Sequence, residues 1–409
     1  MKKIFALTCF FTFCNLFIYA QSGWTAQTFD TNVSLLSVYL TDNSTGYAVG
    51  SGSTIIKTTD GGNNWLTQIN GNYLSLHSVF FTNTDTGFAV GDHGTIFKTT
   101  DGGVNWIEQT SGTYYSLCSI FFINENIGYA VGGDNSGFGI ILKTTNGGTN
   151  WSLQTSSITN ILWSVYFTDA NNGYAVGSGG TILKTHNGGV VWDIQTSGTT
   201  DILSSVYFIT SNIGYIVGGD YDLNANTTIL KTTDGGNNWI TQSGNTTNLY
   251  HLYSVYFIDI NIGFAVGENG TILKTTNGGN NWISQTCETS NRLLSVYFTD
   301  ANTGYIVGAN GTIITTKTGG EPAIIFDNTI NHSSIETFPN PSNGQFAIDL
   351  NNPNKKNVTI SIIDMTGKTV FETISDNEKY DFNGEKLHSG IYLVKVFGDK
   401  ISYGRIVVK

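Results

Sequence analysis

Tryptophan recurs along this chain at a nearly constant interval. Seven of the eight tryptophans are spaced 41 to 47 residues apart, and a period in that range is typical of a repeat architecture. Any fold with one irregular core is therefore disfavoured. The seven are Trp24, Trp65, Trp106, Trp151, Trp192, Trp239 and Trp282, and Trp163 lies outside the series.

Each period contains four short segments bounded by Gly, Asn, Asp or Thr. In the first copy they are residues 37–40, 46–50, 54–57 and a segment that begins at Trp65. β-Branched and aromatic residues dominate them, as in strands, and no apolar stripe at helical spacing survives the Gly-Gly and Asn-Gly breaks. Four strands per repeat predict one blade of a β-propeller.

The seventh copy ends without its fourth strand, because Ala323 stands where a tryptophan is expected. At the other end of the chain, residues 23–28 around Trp24 match residues 281–286 of the sixth copy. We therefore predict an all-β, seven-bladed propeller over residues 21–320 in which the N-terminal strand completes blade seven. Such closure removes the exposed sheet edges of an open array.

Loop lengths distinguish the two faces of the predicted ring. Two of the four connections in each repeat keep the same length in every complete copy, whereas the other two vary. The insertions lie at 132–143, 218–231 and 239–254. Because neighbouring strands alternate in direction, all three insertions lie on one face, which we call the insertion face, and the fixed-length connections lie on the opposite, constant face.

Variable loops on a rigid scaffold commonly carry recognition. The loops of the insertion face combine aromatic rings with carboxylates, a pairing suited to a sugar or to a protein surface. The alternative is that several of these rings only pack the loops against the scaffold. The candidate binding residues are Tyr73, Asp92, His93, Tyr114, Tyr115, Asp134, Trp163, Asp220, Asp222, Tyr250, His251, Tyr253 and Glu268.

One of the insertions partly matches a calcium-binding loop. Asp220, Asp222 and Asn224 place oxygen side chains at alternate positions. The turn glycine of such loops is absent, and Lys231 stands where a bidentate Glu would complete the site. A polar, solvated insertion is therefore favoured over a calcium site, and no cofactor is expected.

The sequence argues against catalysis more than for it. Residues 21–409 contain only Arg292 and Arg405, too few for the three arginines with which a sialidase clamps its substrate. A carboxylate-dependent glycoside hydrolase acting on an extracellular polysaccharide remains the alternative, with Asp134, Asp220 and Glu268 as its candidate acids. A net charge of −11 also disfavours nucleic acid.

Residues 1–20 have the pattern of a cleaved secretory signal: Lys2 and Lys3, an apolar run, then Ala20 before Gln21. No later apolar run has the ~20 residues that a membrane-spanning helix needs. Cys118 and Cys287 then remain, at different points of distant repeats. We expect them to be buried free thiols.

The turn of residues 58–65, Thr-Thr-Asp-Gly-Gly-Asn-Asn-Trp, resembles the Asp box of sialidase-type (BNR) propellers. Half of the six copies carry Asn instead of Asp, so a structural turn is expected rather than a catalytic acid. Together with the Gly-Tyr-Ala-Val-Gly strand, the unit resembles photosystem II assembly-factor-like propellers over about residues 22–320. That resemblance implies a scaffold that binds proteins and has no catalytic residues. A photosystem partner is not expected, because residues 21–336 hold 22 acids and only 8 bases.

A second module follows a linker at 321–336. Residues 337–409 begin Thr-Phe-Pro-Asn-Pro-Ser-Asn-Gly and continue as alternating strands with tight turns, which predicts a small C-terminal β-sandwich. The series resembles the type A C-terminal sorting domain of the Bacteroidetes type IX secretion system. The resemblance implies export across the outer membrane by that machinery. We thus expect a secreted or cell-surface, non-enzymatic propeller that binds a glycan or a protein through its insertion face.

Deletion of residues 337–409 should abolish export, because the sorting signal lies there. Fractionation of cells expressing the truncated chain should find it in the periplasm, whereas the full chain reaches the surface or the medium. Normal export of the truncated chain would contradict the assignment.

Overall fold

The computed structural model describes two compact units, residues up to Ala323 and from Ile324 onward. The residues that it describes are 21–27, 29, 32–69, 74–134, 137–154, 159–220, 227–242, 250–323, 335–350, 352–364, 369–383, 387–398 and 401–409.

The first unit consists of four-stranded antiparallel sheets, seven of them within the described residues. Blades 1 to 3 comprise β2 (Leu35–Leu40), β3 (Gly46–Gly50), β4 (Ile55–Thr58) and β5 (Leu66–Ile69); β6 (Leu76–Phe81), β7 (Gly87–Gly91), β8 (Ile96–Thr99) and β9 (Ile107–Gln109); and β10 (Ser116–Phe122), β11 (Gly128–Gly133), β12 (Gly139–Thr144) and β13 (Ser152–Leu153).

Blades 4 to 6 continue the pattern, and blade 7 takes its outer strand from the start of the chain. They comprise β14 (Leu162–Phe167), β15 (Gly173–Gly177), β16 (Ile182–Thr185) and β17 (Asp193–Gln195); β18 (Ile202–Phe208), β19 (Gly214–Gly219), β20 (Thr227–Thr232) and β21 (Ile240–Thr241); β22 (Leu252–Phe257), β23 (Gly263–Gly267), β24 (Ile272–Thr275) and β25 (Ile283–Gln285); and β26 (Leu293–Phe298), β27 (Gly304–Gly308), β28 (Ile313–Ala323) and β1 (Gln21–Gln27).

The predicted closure by the N-terminal strand is confirmed by the pairing of β1 with β28. The two strands are antiparallel, with Gln27 opposite Ile313 and Thr25 opposite Thr315. Near Gly23 the backbones approach so closely that a Cβ there would lie 2.3 Å from the carbonyl carbon of Gly320, which requires glycine. The fourth strand of blade 7 therefore comes from the other end of the propeller.

Trp24 occupies the position of the missing seventh tryptophan. It is 2% exposed, and its ring meets Phe298 edge-on at a centroid distance of 5.9 Å. Trp282 makes the same edge contact with Phe257 of its own blade at 5.8 Å. Trp24 thus makes in blade 7 the aromatic contact that Trp282 makes in blade 6.

Each blade is also joined to the next through a serine of its inner strand. The backbone N–H of the residue after that serine donates to the serine hydroxyl of the preceding blade, at 3.2–3.3 Å in all seven junctions. The bond from Val38 to Ser295 joins blade 1 to blade 7. The accepting hydroxyls are those of Ser37, Ser78, Ser119, Ser164, Ser205, Ser254 and Ser295.

The Asp-box turns cap themselves. Thr58 Oγ1 donates to Asp60 Oδ1 and accepts from the Gly62 N–H, both at 2.9 Å, and Asp60 Oδ1 accepts from the Asn64 N–H at 2.9 Å. Asn146 makes the equivalent bonds in blade 3. These are the contacts of an Asx side chain that stabilises its own turn.

The C-terminal unit packs two sheets around an apolar cluster that includes Ile348, Ile360 and Val394. One sheet has three strands and the other four, which confirms the predicted β-sandwich. The strands are β29 (Thr337–Phe338), β30 (Gln345–Asp349), β31 (Val358–Asp364), β32 (Thr369–Ser375), β33 (Lys379–Asn383), β34 (Gly390–Phe397) and β35 (Ile401–Val408).

Replacing the closing tryptophan should open the ring locally. Trp24→Ala removes a buried indole and should lower the free energy of unfolding by about 3–5 kcal/mol. Backbone amides of β28 should exchange with solvent faster than those of blade 3, as followed by hydrogen–deuterium exchange. Trp106→Ala is the matched control, because Trp106 is only half-buried and its outer strand is continuous with its own blade. Equal exchange of β28 in both variants would contradict closure through Trp24.

The Asp boxes should make the propeller acid-sensitive. Hydrogen bonds from Asn and Thr neighbours hold the pKa of Asp60, Asp101 and Asp234 below the usual Asp value, that of Asp234 at about 2. A depressed folded-state pKa gives stability that is present above pH 4 and lost as the pH falls through the folded pKa. The variant with Asn at all three positions should keep its melting temperature at neutral pH and lose less of it between pH 4 and pH 2. Identical acid profiles for variant and wild type would refute this role.

Candidate binding site at the channel mouth

On the insertion face, hydrogen bonds join the loop that follows the second strand of a blade to the loop that precedes its inner strand. The residue after the second strand donates its backbone N–H to the carbonyl just before the inner strand of the same blade, as in Ser51 to Ser34 and Asp92 to Ser75, both at 2.9 Å. In four blades this connection is a single 3₁₀ turn: η1 (Ser51–Ser53), η2 (Asp92–Gly94), η3 (Ser178–Gly180) and η4 (Glu268–Gly270). In blades 3 and 5 the insertions replace it.

Every inner strand carries a β-bulge at the same position. In blade 1, Leu35 pairs with Gly50 and Ser37 with Val49, so Leu36 is an extra residue in the ladder. The same register shift lies between the leucine and the serine of all seven inner strands. Bulges of this kind re-aim a side chain and are frequent beside functional sites.

The bulge residue differs between blades, whereas the residues directly before and after it in the inner strand do not. Its neighbours are always Leu on one side and Ser on the other, since the Leu is fully buried and the Ser bonds to the next blade. The inner strands contact one another in a closed ring, so the seven half-buried bulge residues surround the mouth of the central channel. We call Leu36, His77, Cys118, Trp163, Ser204, Tyr253 and Leu294 the bulge ring.

Three members of the bulge ring bond to the first residue of the 3₁₀ turn in their own blade, always 15 residues further on. His77 Nε2 lies 2.7 Å from Asp92 Oδ1, and Trp163 Nε1–H donates to Ser178 Oγ at 3.0 Å. Tyr253 Oη–H donates to Glu268 Oε1 at 2.5 Å. The repeat geometry thus presents three chemically different pairs around one channel.

Asp92 is held in its charged form. Besides His77 it accepts bonds from the Ser75 N–H at 3.0 Å and from Ser116 Oγ at 3.2 Å. The bond from His77 is the main reason that the pKa of Asp92 falls to about 2, and the other donors add to it. A carboxylate of blade 2 therefore stays ionised at the mouth at any physiological pH.

His251 lies between blades 5 and 6. It is 1% exposed, and its Nε2 lies 2.8 Å from Oγ of Ser204, a member of the bulge ring. Burial lowers its pKa, which favours the neutral imidazole at neutral pH. His251 therefore supports the ring from behind instead of being exposed on the face.

An exposed aromatic stack lies beside the mouth in blades 2 and 3. The rings of His93 and Tyr114 are 4.6 Å apart and nearly parallel, at 14°. Tyr114 is 75% exposed. His93 adopts a φ of 55°, a left-handed conformation that Gly52 and Gly179 fill at the equivalent positions of blades 1 and 4. An imidazole is thus retained at a backbone position that favours glycine.

The remaining candidates are placed less closely together. Asp134 opens the insertion of blade 3, where its Oδ1 accepts from the Phe138 N–H at 3.2 Å, and Asp220 opens that of blade 5. Tyr115 is exposed and Tyr250 half-buried, each a short distance before an inner strand. Tyr73, Asp222 and Asn224, and with the last two the suggested calcium loop, lie outside the described residues. Among the described residues, no group of three or more His, Cys, Asp or Glu side chains is placed to hold a metal ion.

Two placements differ from the sequence analysis. Trp163 and Tyr253 were expected in loops, but they lie within β14 and β22, because the inner strands begin before the serine and bulge there. The other five members of the bulge ring were not among the predicted binding residues: Leu36, His77, Cys118, Ser204 and Leu294. The signal that identifies them is the repeated Leu-x-Ser, in which only x varies.

Both cysteines are free thiols, as predicted, although each is only partly buried. Desolvation, together with the nearby charge of Asp92, raises the pKa of the Cys118 thiol to about 12. The thiol is therefore protonated at neutral pH, and a thiolate nucleophile is not available at this position of the ring.

Charge is distributed differently on the two faces. Each of the seven propeller lysines lies over an aromatic ring of its own blade at 5.4–5.8 Å, toward the constant face. Arg292, exposed on the insertion face, is the one other Lys or Arg of residues 21–323. The acids of the insertion face in the described ranges are Asp92, Asp134, Asp201, Asp220, Glu268 and Glu288.

A shallow groove lies further out on the same face, at the closure of the ring. It has a volume of about 630 Å³ and is lined by Gln27, Phe29, Glu288, Asn310 and Thr312, among others. It shares no residue with the bulge ring.

The C-terminal unit matches a known export module. Residues 336–409 match the family described as the secretion system C-terminal sorting domain. The protein is therefore exported by type IX secretion to the cell surface or beyond it. Among the described residues, no helix is long and apolar enough to cross a membrane.

Solved structures show the same propeller fold. YCF48 bound to D1 peptide is 20% identical, covers 72% of this chain and 96% of its own, and superposes with a TM-score of 0.58. YCF48 from Cyanidioschyzon merolae is 20% identical, covers 72% and 98%, and gives 0.59. The WD40 propeller domain of Doa1 is 14% identical, covers 72% and 97%, and gives 0.56. A comparison with curated protein sequences finds no significant match.

The propeller sequence itself matches a family model in overlapping segments. Residues 70–157, 151–240 and 190–287 match the family described as photosynthesis system II assembly factor YCF48. Together these segments span more than half of the chain. With its closed ring of Asp-box blades and its C-terminal sandwich, the chain belongs to the YCF48 family of propellers and carries a secretion sorting domain.

Proposed function

We propose that this protein is an exported, non-enzymatic propeller that binds a segment of another protein at the channel mouth of the insertion face. The observation that carries the proposal is the bulge ring. The bulge position, which differs between blades within a constant Leu-x-Ser step, lies on the same face as every loop insertion.

Comparison of the seven blades separates positions that hold the fold from positions that do not. The Leu and Ser around each bulge are the same in every blade because the fold uses both of them. The bulge residue is free of those contacts, and six residue types occur at its seven positions. A surface that varies on an otherwise uniform scaffold is the expected signature of specific recognition.

The chemistry of the mouth suits a polypeptide. Trp163 and Tyr253 offer aromatic faces whose polar edges are fixed by Ser178 and Glu268. Large, oriented aromatics of this kind are the residues that contribute most to protein interfaces. A propeller of the same fold is bound to D1 peptide, which supports a polypeptide ligand here.

The carboxylates of the insertion face are already engaged locally. Glu268 accepts the phenol of Tyr253, and Asp134 caps the loop that it opens. The three acids of the alternative hydrolase belong to blades 3, 5 and 6. A glycoside hydrolase instead needs two carboxyl groups about 5–10 Å apart across a sugar, so these roles favour binding over hydrolysis.

Selection of peptides from a displayed random library on the full mature chain tests the proposal. Peptides that bind should lose about tenfold or more in affinity to the Trp163→Ala variant, because a central aromatic anchor is removed. Val190→Ala, an exposed site on the constant face, is the control and should leave affinity unchanged.

Three other outcomes would overturn the proposal. Retention on a polysaccharide panel without any peptide binding would indicate a glycan ligand, and new reducing ends would indicate a hydrolase. Equal losses for Trp163→Ala and Val190→Ala would remove the channel mouth as the site.

A further inference from the structure

We infer that the segment bound at the channel mouth is cationic and presents lysine or arginine side chains to the bulge ring. This rests on the proposed function and names the chemical class of its partner. It is based on the positions of the lysines, carboxylates and aromatic rings on the two faces of the propeller.

The propeller directs its lysines away from the channel mouth. Six of the seven donate to the Asp-box turn of the next blade, as Lys57 does to the Gly102 carbonyl at 2.7 Å. The seventh, Lys317, lies 3.4 Å from the phenol oxygen of Tyr305. Each ammonium is thus held on the constant face, where it cannot reach a ligand at the mouth.

Several acids of the constant face are bonded within their own turns. Asp42, for example, accepts the backbone N–H groups of Ser44 and Thr45, both at 2.7 Å. On the insertion face, six described acids accompany one arginine, Arg292. The field at the mouth is therefore negative, and it attracts cationic partners and repels acidic ones.

Two of these carboxylates are built into the mouth. Asp92 and Glu268 open the 3₁₀ turns of blades 2 and 6, nearly across the ring from each other, and each accepts a hydrogen bond from a bulge residue. The Asp92 side chain remains 31% exposed. Oriented carboxylates that keep solvent access suit the multidentate bonds of a guanidinium or an ammonium.

Aromatic faces accompany the carboxylates. The indole of Trp163, the phenol of Tyr253 and the exposed stack of His93 on Tyr114 adjoin the two acidic turns or lie between them around the ring. Cations are attracted to such faces, with arginine the commonest partner. Neither a neutral nor an acidic segment gains this contribution, so the aromatics and the acids select for the same ligand.

Three labelled peptides of equal length test the inference: one rich in lysine and arginine, one with glutamine in their place, and one with glutamate. Fluorescence anisotropy with the full mature chain should show binding of the cationic peptide, at least about tenfold weaker binding of the neutral one, and none of the acidic one. Raised salt should weaken the cationic complex.

Two pairs of substitutions distinguish the effect of the carboxylates at the channel mouth from that of the overall negative charge of the protein. The pair Asp92→Asn and Glu268→Gln should weaken the cationic peptide by about tenfold. The matched pair Asp101→Asn and Asp234→Asn removes the same charge from the constant face at positions where other blades already carry Asn, and it should change nothing. Melting curves of both pairs show that each is folded, and Glu268→Gln alone serves if the double variant is not.

Three other results would overturn the cationic inference, its placement at the channel mouth, or both proposals. Equal affinity for the cationic and neutral peptides, with loss in Trp163→Ala, overturns the cationic inference and leaves the proposed function standing. Equal effects of the two charge pairs overturn the placement at the mouth. Failure of every peptide, including those from the displayed library, overturns both.

Discussion

The antiparallel pairing of β1 with β28 is the constraint on which the rest of the structure depends. Every blade buries one face against the next, and each inner-strand N–H bonds to the serine of its neighbour, so blades 1 and 7 are complete only when the ring is shut. Trp24 supplies the apolar contact that the seventh repeat lacks. Since the ring is closed, the bulge residues of seven strands meet around one channel and are held at fixed distances.

The two faces of the propeller have different roles: the constant face stabilises the fold, and the insertion face carries the positions that vary. On the constant face the repeat is nearly uniform, because Asp-box side chains cap their own turns and lysines bond each blade to the next. On the insertion face the same scaffold leaves one position per blade without such a duty, and these positions hold an indole, a phenol, an imidazole, a thiol, a hydroxyl and two aliphatic side chains. Uniform packing on one side thus allows chemical diversity on the other.

Repeat counting predicts most of this architecture. The blades and the closure follow from spacing, since Gly and Trp positions are fixed by turns and by packing between blades, and the sandwich follows from alternating strands with tight turns. The bulge is harder to predict, because the Leu-x-Ser step interrupts the alternation of buried and exposed residues and so resembles the end of a strand. Trp163 and Tyr253 were therefore placed in loops. His77 was missed because its role depends on contact with Asp92, fifteen residues away. Loop contacts such as that of His93 with Tyr114 likewise depend on tertiary geometry.

The order of the chain gives the late position of β28 a biological consequence. β1 is synthesised first, its partner β28 ends at Ala323, and the sorting module at 336–409 follows directly afterwards. A chain broken anywhere before β28 lacks both the strand that would shut the circle and the tag that the exporter reads. Of chains that break off early, only those that extend past β28 can carry the sorting module, so we expect an incomplete propeller to be retained inside the cell envelope.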